Sequence, residues 1–262
     1  MKFALIGHPV AGSLSPRLMA AAYDGRHSYD LLDFEHFDDA WQAFVEGYDG
    51  INVTAPFKQD AFARVDVRSP QAQATGAVNL VVRSADGFVG YNTDVDGVMT
   101  ALGKDSSLTL RMTEKGRMTE KGRMTEGGRM TGNPQALVVG TGGAARAAVH
   151  AAHLLGCQVS VTGRSLEKAA ALGCPVVSFE KAATLHPDII IYTLPGRAPV
   201  PAGLPCADAV VLEAEYRIPQ LADIPCRRYI SGRDWMLGQA VAGYSIFTGE
   251  QPCVEKMEKV LF

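Results

Sequence analysis

The sequence predicts an α/β protein, and three observations support this. Short apolar runs alternate with helical patterns along most of the chain, which is the element order of an α/β fold. After residue 135 the order is strand, helix, strand, helix, strand, and right-handed crossovers make such a sheet parallel and doubly wound. A glycine-rich segment, GTGGAARA, separates the first strand of this half from its first helix. Glycines at that place favour a tight turn from strand into helix.

The individual elements follow from local patterns. In the first half, apolar runs predict strands over residues 3–7, 51–55 and 78–83, and a helix over residues 95–102. In the second half, similar runs predict strands over residues 136–140, 158–163, 176–179 and 188–193. Helices are predicted between them over residues 144–156 and 165–173.

Composition and charge are those of an ordinary globular protein. Of the 262 residues, 47% are hydrophobic and 20% are charged, which excludes wholesale disorder. The longest uncharged stretch, 147–163, is interrupted by two histidines and is too short to span a bilayer. The apolar run 3–7 is too short for a signal peptide, so a cytoplasmic protein is expected. The net charge of −3 is not typical of a nucleic-acid-binding protein, so small-molecule partners are favoured.

The cysteines argue against a disulfide framework. There are five of them, an odd number, widely spaced and without a CxxC pair. Neither disulfides nor a structural zinc site is therefore predicted, and no metal is expected. Buried thiols in a reducing compartment fit this pattern better.

Residues 111–131 form a tandem repeat: RMTEKG, RMTEKG, RMTEGG, RMT. It holds six Lys or Arg and three Glu, a charge of +3, so the rest of the chain carries −6. A six-residue period builds no apolar helix face, and the glycines interrupt any strand. We expect a flexible linker with an insertion over residues 103–134, at a domain boundary. A basic docking segment is the alternative.

The glycine-rich segment that begins at Gly140 indicates a dinucleotide site. It follows a strand and opens a helix, which is the context that this motif requires. Gly140 would allow the tight turn, and Gly142 would let a pyrophosphate approach the positive end of the helix. A strand-to-helix turn without a ligand is the alternative.

The end of the strand over residues 158–163 distinguishes NAD from NADP. An NAD site usually carries an acidic residue about 20 residues beyond the glycines. This chain has Gly163, Arg164 and Ser165 at that place, with Lys168 close behind and no acid. A guanidinium suits a 2′-phosphate, so NADP is favoured. For Arg164 alone, a solvated surface side chain is the alternative.

Polar side chains also occur where a strand of the first half ends. In INVTAPFK, strand alternation puts Ile51 and Val53 on one face. Asn52 and Thr54 then project together from the other face, and Lys58 follows on the turn. Taken alone, these residues are compatible with a purely structural role.

Two further polar groups stand at predicted helix starts. Asn92, Thr93 and Asp94 precede the helix over residues 95–102 and fit an N-cap cluster. Ser15 followed by Pro16 fits the N-cap and first position of another helix. Neither group by itself requires a functional role.

Taken together, the segments resemble one family. The order of GHPVAGSLSP (7–16), GINVTAPFK (50–58), GAVN (76–79), GYNTDVDG (90–97), GTGGAARA (140–147) and GRDWMLGQAVAGYSIFTG (232–249) is similar to that of shikimate dehydrogenases. The resemblance covers nearly the whole chain, and only the repeat has no counterpart.

The resemblance implies two α/β domains with the catalytic cleft between them. The N-terminal substrate domain would span residues 1–102 and be completed by a C-terminal helix over residues 235–262. A Rossmann-like NADP-binding domain with a parallel sheet would span residues 135–234.

The resemblance also implies residue roles. Lys58 and Asp94 correspond to the catalytic pair. Ser13 and Ser15 would bind the substrate carboxylate. The remaining substrate-binding residues would be Asn52, Thr54, Asn79, Tyr216 and Gln239. The cofactor-binding residues would be Gly140, Gly142, Gly143, Ala144, Arg164, Ser165 and Lys168.

The implied reaction is the reversible NADPH-dependent reduction of 3-dehydroshikimate to shikimate, on the route to chorismate and the aromatic amino acids. Hydride delivery to a ketone creates an alkoxide, and an ammonium beside it can stabilise that charge and supply the proton. The alternatives are an NAD-preferring quinate/shikimate dehydrogenase and a non-catalytic NADP-binding sensor. The missing acid beside Arg164 argues against the first, and the presence of both Lys58 and Asp94 against the second. A monomer or homodimer is expected.

Three departures from the family pattern affect details of these roles. Gly163 replaces an asparagine of the phosphate clamp, and residues 192–194 replace an Asn-Ala-Thr segment near the nicotinamide. Gly12 stands where a histidine often precedes the serine pair.

Overall fold

The computed structural model describes residues 1–104 and 133–262. The repeat at 111–131, predicted to be a flexible insertion, lies outside these residues. The described residues divide into two compact units: residues 1–98, 142–150 and 233–262 form the first, and residues 99–104, 133–141 and 151–232 form the second. The domain limits predicted above differ from this division mainly at residues 142–150, and they stay a prediction.

The first unit is built on a six-stranded mixed sheet. Its strands are β1 Lys2–Gly7, β2 Ser28–Asp33, β3 Gly50–Val53, β4 Val67–Arg68, β5 Leu80–Ser84 and β6 Gly87–Tyr91. They lie in the order β2, β1, β3, β5, β6, β4. β1 runs parallel to β2 and β3, whereas β5 runs antiparallel to β3 and β6. The three strands predicted in this half are confirmed, with small shifts at their ends.

Helices pack against both faces of this sheet. They include α1 Ser15–Tyr23, α2 Phe37–Gly47, α3 Lys58–Arg64, α4 Pro70–Thr75 and α5 Asp94–Gly103. Ile6 and Ile51 lie in a buried cluster with Trp41 and Phe44 of α2. Phe3 points to the opposite face, because strand side chains alternate, and its ring stacks on Tyr23 of α1.

The second unit is built on a five-stranded sheet. Its strands are β7 Gln135–Val139, β8 Gln158–Thr162, β9 Ile189–Tyr192, β10 Val210–Glu213 and β11 Arg228–Ile230. They lie in the order β11, β10, β9, β7, β8, and all the neighbouring pairs are parallel. The predicted parallel, doubly wound sheet is therefore confirmed.

The strand predicted over residues 176–179 is wrong. Val176 makes a single bridge to Val161 of β8, and a helix already begins at Phe179. The physical reason is Ser178, whose side chain caps this helix by accepting from the backbone N–H of Lys181. The bridge lies next to β8, where a Rossmann sheet has its third strand. The next strand, β9, pairs with the other side of β7, so the strand order reverses between β7 and β9.

Three helices lie between strands of this sheet along the chain. They are α6 Gly143–Leu154, between β7 and β8, and α7 Leu166–Ala170 and α8 Phe179–Ala182, between β8 and β9. The helices predicted over residues 144–156 and 165–173 correspond to α6 and α7 and are confirmed, although α7 is shorter than expected. Among the helices of the described segments, none has the length and apolar character needed to cross a bilayer.

The C-terminal segment forms two helices where one was expected over residues 235–262. These are α9 Gly232–Thr248 and α10 Val254–Leu261. Gly249, with a φ of +73°, ends α9, and Pro252 follows in the connection. The ring of Phe247 in α9 stacks on Phe3 of β1 with centroids 4.4 Å apart. This contact holds α9 on the same sheet face as α1.

Candidate active site

Lys58 and Asp94, predicted as the catalytic pair, meet in the first unit. Lys58 is the first residue of α3, not a turn residue as expected, and Asp94 is the first residue of α5. The Lys58 ammonium donates a hydrogen bond to Oδ2 of Asp94. The Lys58 side chain is 16% exposed and that of Asp94 is 6% exposed. The pair is thus shielded from bulk water, with the lysine the more accessible partner.

Backbone hydrogen bonds between three segments bring this pair together. The N–H of Val78 donates to the carbonyl of Lys58 at 2.9 Å, and the N–H of Val53 donates to the carbonyl of Asn79 at 2.8 Å. The N–H of Asn79 in turn donates to Tyr91 at 2.9 Å. The ends of β3 and β6 and the segment before β5 are therefore fixed to one another, and the side chains at these ends have defined positions.

A buried polar cluster surrounds the start of α5. Oδ1 of Asn79 accepts from the backbone N–H of Thr93 at 2.7 Å, and Nδ2 of Asn79 lies 3.1 Å from Oγ1 of Thr93. Asn92 accepts from the backbone N–H of Asp94 at 3.2 Å, as expected of a capping residue. Asn92 therefore caps α5, and Asn79 is bonded to Thr93, the neighbour of Asp94. The catalytic role of Asp94 stays a prediction.

Ser13 and Ser15 lie together at the start of α1. Their hydroxyl oxygens are 3.1 Å apart, and the backbone N–H of Ser15 donates to Oγ of Ser13 at 3.2 Å. Ser15 is not the N-cap that the sequence suggested, because α1 begins at Ser15 itself and its cap position is Leu14. Both hydroxyls are half-buried and close enough to bind one carboxylate.

Asp33 holds the loop that leads to these serines. Its carboxylate accepts from the backbone N–H of Val10 at 3.0 Å and contacts Nδ1 of His8 at 2.7 Å. The backbone N–H of Ser13 donates to the carbonyl of Val10 at 3.1 Å. The Val10 amide, followed by His8, lowers the pKa of Asp33. A carboxylate at the end of β2 therefore fixes the approach to Ser13.

The predicted alternation in β3 is confirmed over residues 51–53. Ile51 and Val53 are buried in the cluster with α2, and Asn52 points to the opposite face. There the hydroxyl of Tyr29 in β2 donates to Oδ1 of Asn52 at 2.8 Å, and Nδ2 of Asn52 donates to the carbonyl of Asn79 at 3.3 Å. No local motif marks Tyr29 as a site residue, because its partner lies on a strand 23 residues away.

Thr54 follows β3 directly and lies against the end of β1. A Cβ on Gly7 would lie 2.4 Å from Cγ2 of Thr54 and 2.9 Å from the carbonyl oxygen of Ala55. Only glycine fits at the end of β1 with this neighbour, and the N–H of Thr54 donates to the carbonyl of Ile6 at 2.9 Å. Thr54 is therefore fixed against the end of β1.

Gln239 lies on α9, whose position is set by two close glycine contacts. A Cβ on Gly97 of α5 would come within 2.5 Å of the Trp235 ring, so α5 and α9 approach closely only because residue 97 is glycine. A Cβ on Gly243 would lie 3.1 Å from Leu80 and 4.0 Å from Nδ2 of Asn52. Gln239 is one helical turn from both Trp235 and Gly243, on the side of α9 that faces the polar residues.

The glycine-rich segment follows β7 as predicted. Gly140 has a φ of +127°, and a Cβ there would lie 2.2 Å from Oγ1 of Thr193. Gly142 is exposed, and a Cβ on it would meet no atom within 4 Å. The turn therefore requires Gly140, and the space beside Gly142 is open for a ligand to approach the first amides of α6, including Gly143 and Ala144. These are the features that a dinucleotide pyrophosphate needs.

The predicted 2′-phosphate clamp lies at the end of β8. Arg164 and Lys168 are exposed, and the hydroxyl of Ser165 caps α7 by accepting from the backbone N–H of Lys168 at 3.2 Å. A Cβ on Gly163 would lie 2.8 Å from Thr141, so β8 ends against the glycine-rich segment. Ser165 therefore has a structural role as a helix cap, and its role in binding the cofactor stays a prediction.

Tyr216 follows β10 in the second unit. It is half-buried, and the guanidinium of Arg217 lies 5.9 Å from the centre of its ring. Glu213, which ends β10, is fully buried and accepts from the backbone N–H groups of Gln220 and Leu221 and from the hydroxyl of Tyr229. Glu213 was not predicted from the sequence, although an acidic residue at the end of an apolar strand is a usable signal.

The structure therefore gathers most of the predicted substrate and catalytic residues in the first unit: Ser13, Ser15, Asn52, Thr54, Lys58, Asn79, Asp94 and Gln239. Tyr216, Arg164, Ser165 and Lys168 lie in the second unit. In the described part of the chain, no group of three or more His, Cys, Asp or Glu residues could hold a metal ion.

Known proteins are similar to this chain over nearly its whole length. Residues 5–81 match the family model of the shikimate dehydrogenase substrate binding domain. The shikimate dehydrogenase (NADP(+)) of Natronomonas pharaonis is 32% identical over 282 residues, which cover 99% of this chain and 97% of that protein. The chain belongs to the shikimate dehydrogenase family. The family member of Thermus thermophilus is 33% identical over 230 residues, covering 83% of this chain and 79% of that protein.

Solved structures extend the family likeness to the whole fold. The shikimate 5-dehydrogenase of Thermus thermophilus, in complex with NADP(H) and shikimate, has a TM-score of 0.75 at 27% identity, covering 100% of this chain and 98% of that one. Shikimate dehydrogenase of Aquifex aeolicus has a TM-score of 0.81 at 25% identity, covering 99% and 97%. The predicted architecture of two α/β domains, one of them Rossmann-like, is confirmed.

Proposed function

We propose that this chain is an NADP-dependent shikimate dehydrogenase, which reversibly reduces 3-dehydroshikimate to shikimate. The observation that carries this conclusion is the shielded Lys58–Asp94 pair, set beside Asn79 in a chain of this family. A shielded ammonium next to a carboxylate is suited to moving a proton to and from a substrate oxygen. The family membership makes that oxygen the carbonyl oxygen of 3-dehydroshikimate.

In the proposed mechanism Lys58 acts on the reacting oxygen. Its ammonium stabilises the negative charge that develops there during reduction and then donates a proton. In the oxidation direction the neutral amine accepts that proton. Asp94 holds the ammonium by the observed hydrogen bond and fixes its direction. Asp94 is itself fixed at the start of α5, so the geometry is in place before substrate binds.

The remaining polar side chains would hold the substrate. Ser13 and Ser15, with their oxygens 3.1 Å apart, would donate to the two oxygens of the substrate carboxylate. The ring hydroxyls would be bound by Asn52, Thr54, Asn79, Gln239 and Tyr216. A substrate with one carboxylate and several hydroxyls matches this set of donors and acceptors.

The residues of the glycine-rich segment fit NADP. Bound NADPH supplies the hydride. Backbone amides of Gly140, Gly142, Gly143 and Ala144 would hold the pyrophosphate in the open space beside Gly142. Arg164 would bind the 2′-phosphate, supported by Ser165 and Lys168, and its exposure leaves the guanidinium accessible.

The five free thiols support the proposal that the enzyme works in the reducing cytoplasm, where NADPH is supplied. We propose that it acts there as a monomer or homodimer, which size-exclusion chromatography with light scattering distinguishes.

The direct test is the absorbance of the nicotinamide band with purified protein, shikimate and each cofactor. Appearance of NADPH from NADP and shikimate is the expected result, with slower turnover of NAD. Replacing shikimate by quinate measures how specific the enzyme is for the ring substituents of its substrate. Turnover of quinate with NAD and none of shikimate with NADP would replace the proposal by the quinate alternative. Binding of NADP without any turnover would favour a sensor.

A further inference from the structure

Tyr29 joins two parts of the proposed substrate site. Its hydroxyl donates to Oδ1 of Asn52 at 2.8 Å. The side chain of Ser15 lies near the same hydroxyl and partly offsets the rise in its pKa. Tyr29 lies on β2 and Asn52 on β3, so the phenol joins two strands beside the start of α1.

The sheet register explains why Tyr29 can reach Asn52. β1 lies between β2 and β3, and it pairs Tyr29 with Phe3 and Asn52 with Leu5. Phe3 and Leu5 are two residues apart, so their side chains, and those of their partners, point to the same sheet face. A tyrosine is long enough to cross the width of β1 on that face.

The phenol acts as a donor toward Asn52. Burial raises the pKa of Tyr29 well above its usual value, so the hydroxyl stays protonated at neutral pH. Its proton engages the amide oxygen of Asn52, while Nδ2 of Asn52 donates to the carbonyl of Asn79 at 3.3 Å. The amide is thus held in one orientation, which leaves the second N–H of Nδ2 for a ligand.

Hydrogen bonds lead from Tyr29 toward the proposed reaction centre. They run from Tyr29 to Asn52 at 2.8 Å and from Asn52 to the carbonyl of Asn79 at 3.3 Å. The side chain of Asn79 in turn binds Thr93, the neighbour of Asp94. The Ser13–Ser15 pair, with its oxygens 3.1 Å apart, lies near the Tyr29 hydroxyl, so Tyr29 stands beside the proposed carboxylate-binding serines and is bonded toward the Lys58–Asp94 pair.

We propose that Tyr29 is a positioning residue for the substrate, acting through Asn52: it fixes the amide so that its N–H faces a ring hydroxyl while the serines hold the carboxylate. This rests on the proposed function, since the ligand is the one assigned there. When a carboxylate takes the protons of Ser13 and Ser15, the Tyr29 hydroxyl still holds Asn52 in place. Tyr29 does not touch the reacting oxygen in this arrangement.

The test is Tyr29→Phe, which removes only the hydroxyl. Loss of one hydrogen bond that orders a ligand-binding group predicts a KM for shikimate raised by about 3- to 10-fold. We expect kcat to stay within about twofold, because the Lys58–Asp94 pair is unchanged, and KM for NADP to stay the same. A purely structural tyrosine would instead lower the thermal midpoint and alter all the kinetic constants together.

Tyr23→Phe is the matched control. Tyr23 is also a tyrosine of the first unit, fully buried, but its hydroxyl has no hydrogen-bond partner among the described residues. Removing it deletes the same atom without breaking a bond to the site. KM for shikimate in Tyr23→Phe should therefore equal that of the parent enzyme.

A double-mutant cycle with Asn52→Ala tests the route of the effect. If Tyr29 acts through Asn52, Tyr29→Phe changes KM little once Asn52 is alanine. Equal effects in both backgrounds, an unchanged KM in Tyr29→Phe, or a variant that no longer folds would overturn the proposal. Failure of the proposed function is distinguishable, because the parent enzyme itself would then not oxidise shikimate with NADP.

Discussion

Each compact unit contains a buried carboxylate near the end of a strand, and the two carboxylates have different surroundings. In the first unit Asp94 bonds to the ammonium of Lys58, whose side chain is 16% exposed. In the second unit Glu213 is fully buried and satisfied by two backbone N–H groups and the hydroxyl of Tyr229. Burial alone thus does not indicate a catalytic role. In the proposed mechanism Asp94 has a partner, Lys58, that can exchange a proton with a ligand, whereas the donors to Glu213 are backbone groups and one phenol that fix it in place.

The largest effect is expected from Lys58→Ala, which removes the proposed proton donor from the Lys58–Asp94 pair of the first unit. Turnover should fall by about 10²- to 10⁴-fold, the usual contribution of a positioned acid or base. KM for shikimate should change less, because the ammonium matters most when charge develops on the oxygen. Steady-state kinetics of shikimate oxidation measures both constants.

The matched control for Lys58→Ala is Lys256→Ala. Lys256 also pairs with an aspartate in the first unit, at 2.9 Å from Asp24, but its side chain is 49% exposed. An exposed ion pair of this kind contributes little to stability or chemistry. If Lys58→Ala kept half of the parent kcat, Lys58 would not be the proton donor of the proposed mechanism.

Glu213→Gln tests whether the buried carboxylate of the second unit has a purely structural role. The amide keeps the size of the side chain but loses its charge, which weakens the bonds from two backbone N–H groups and Tyr229. Hydrogen bonds to a charged group contribute about 1.5–3 kcal/mol, which predicts a thermal midpoint lower by about 3–12 °C. We expect kcat to remain within about threefold, since Glu213 contacts no predicted substrate residue.

Calorimetry and kinetics of Glu213→Gln should be compared with Glu167→Gln, an exposed glutamate of the same unit. That substitution should change neither quantity. A 100-fold loss of kcat in Glu213→Gln at an unchanged thermal midpoint would show that the second carboxylate is not merely structural.

Arg164→Asp is expected to change cofactor preference without changing stability. A carboxylate repels a 2′-phosphate and can accept from a 2′-hydroxyl, so the ratio of kcat/KM for NADP to that for NAD should fall by at least about tenfold. Because Arg164 is exposed, the thermal midpoint should not move. Arg227→Asp, an exposed arginine that precedes β11, is the control. If the ratio does not change, Arg164 does not bind the 2′-phosphate and Lys168 becomes the candidate.

Asp33→Asn gives the smallest effect and depends on pH. Asp33 is an exposed carboxylate with a pKa lowered by the backbone N–H of Val10 and by His8. Because the folded pKa is the lower one, the stabilisation is present above the unfolded value of about 3.9 and is lost as pH falls through the folded pKa. The parent should therefore melt slightly above Asp33→Asn at pH 7, with the difference disappearing in acid. A difference that grows in acid would contradict this sign.

Apolar runs in the sequence predicted six of the strands that the structure describes, but not β2, β4, β6, β10 or β11. Apolar runs such as 136–140 predict buried strands because a doubly wound sheet is covered on both faces. The same logic fails at residues 176–179, where the local effect of Ser178 as a helix cap outweighs the apolar pair before it. It also fails near Gly249, because a helix of the length expected for 235–262 is interrupted by a single left-handed residue.

The residue types of the candidate site can be recognised in local motifs, namely Lys58, Asp94, the serine pair and the glycine-rich segment. Which of these residues lie together, and which contacts hold them, follows from the fold and not from any single motif. The contacts of Tyr29 with Asn52 and of Gly97 with Trp235 join residues 23 and 138 positions apart. Such contacts arise from strand register and helix packing, which depend on the whole sheet and leave no periodic signal in either segment.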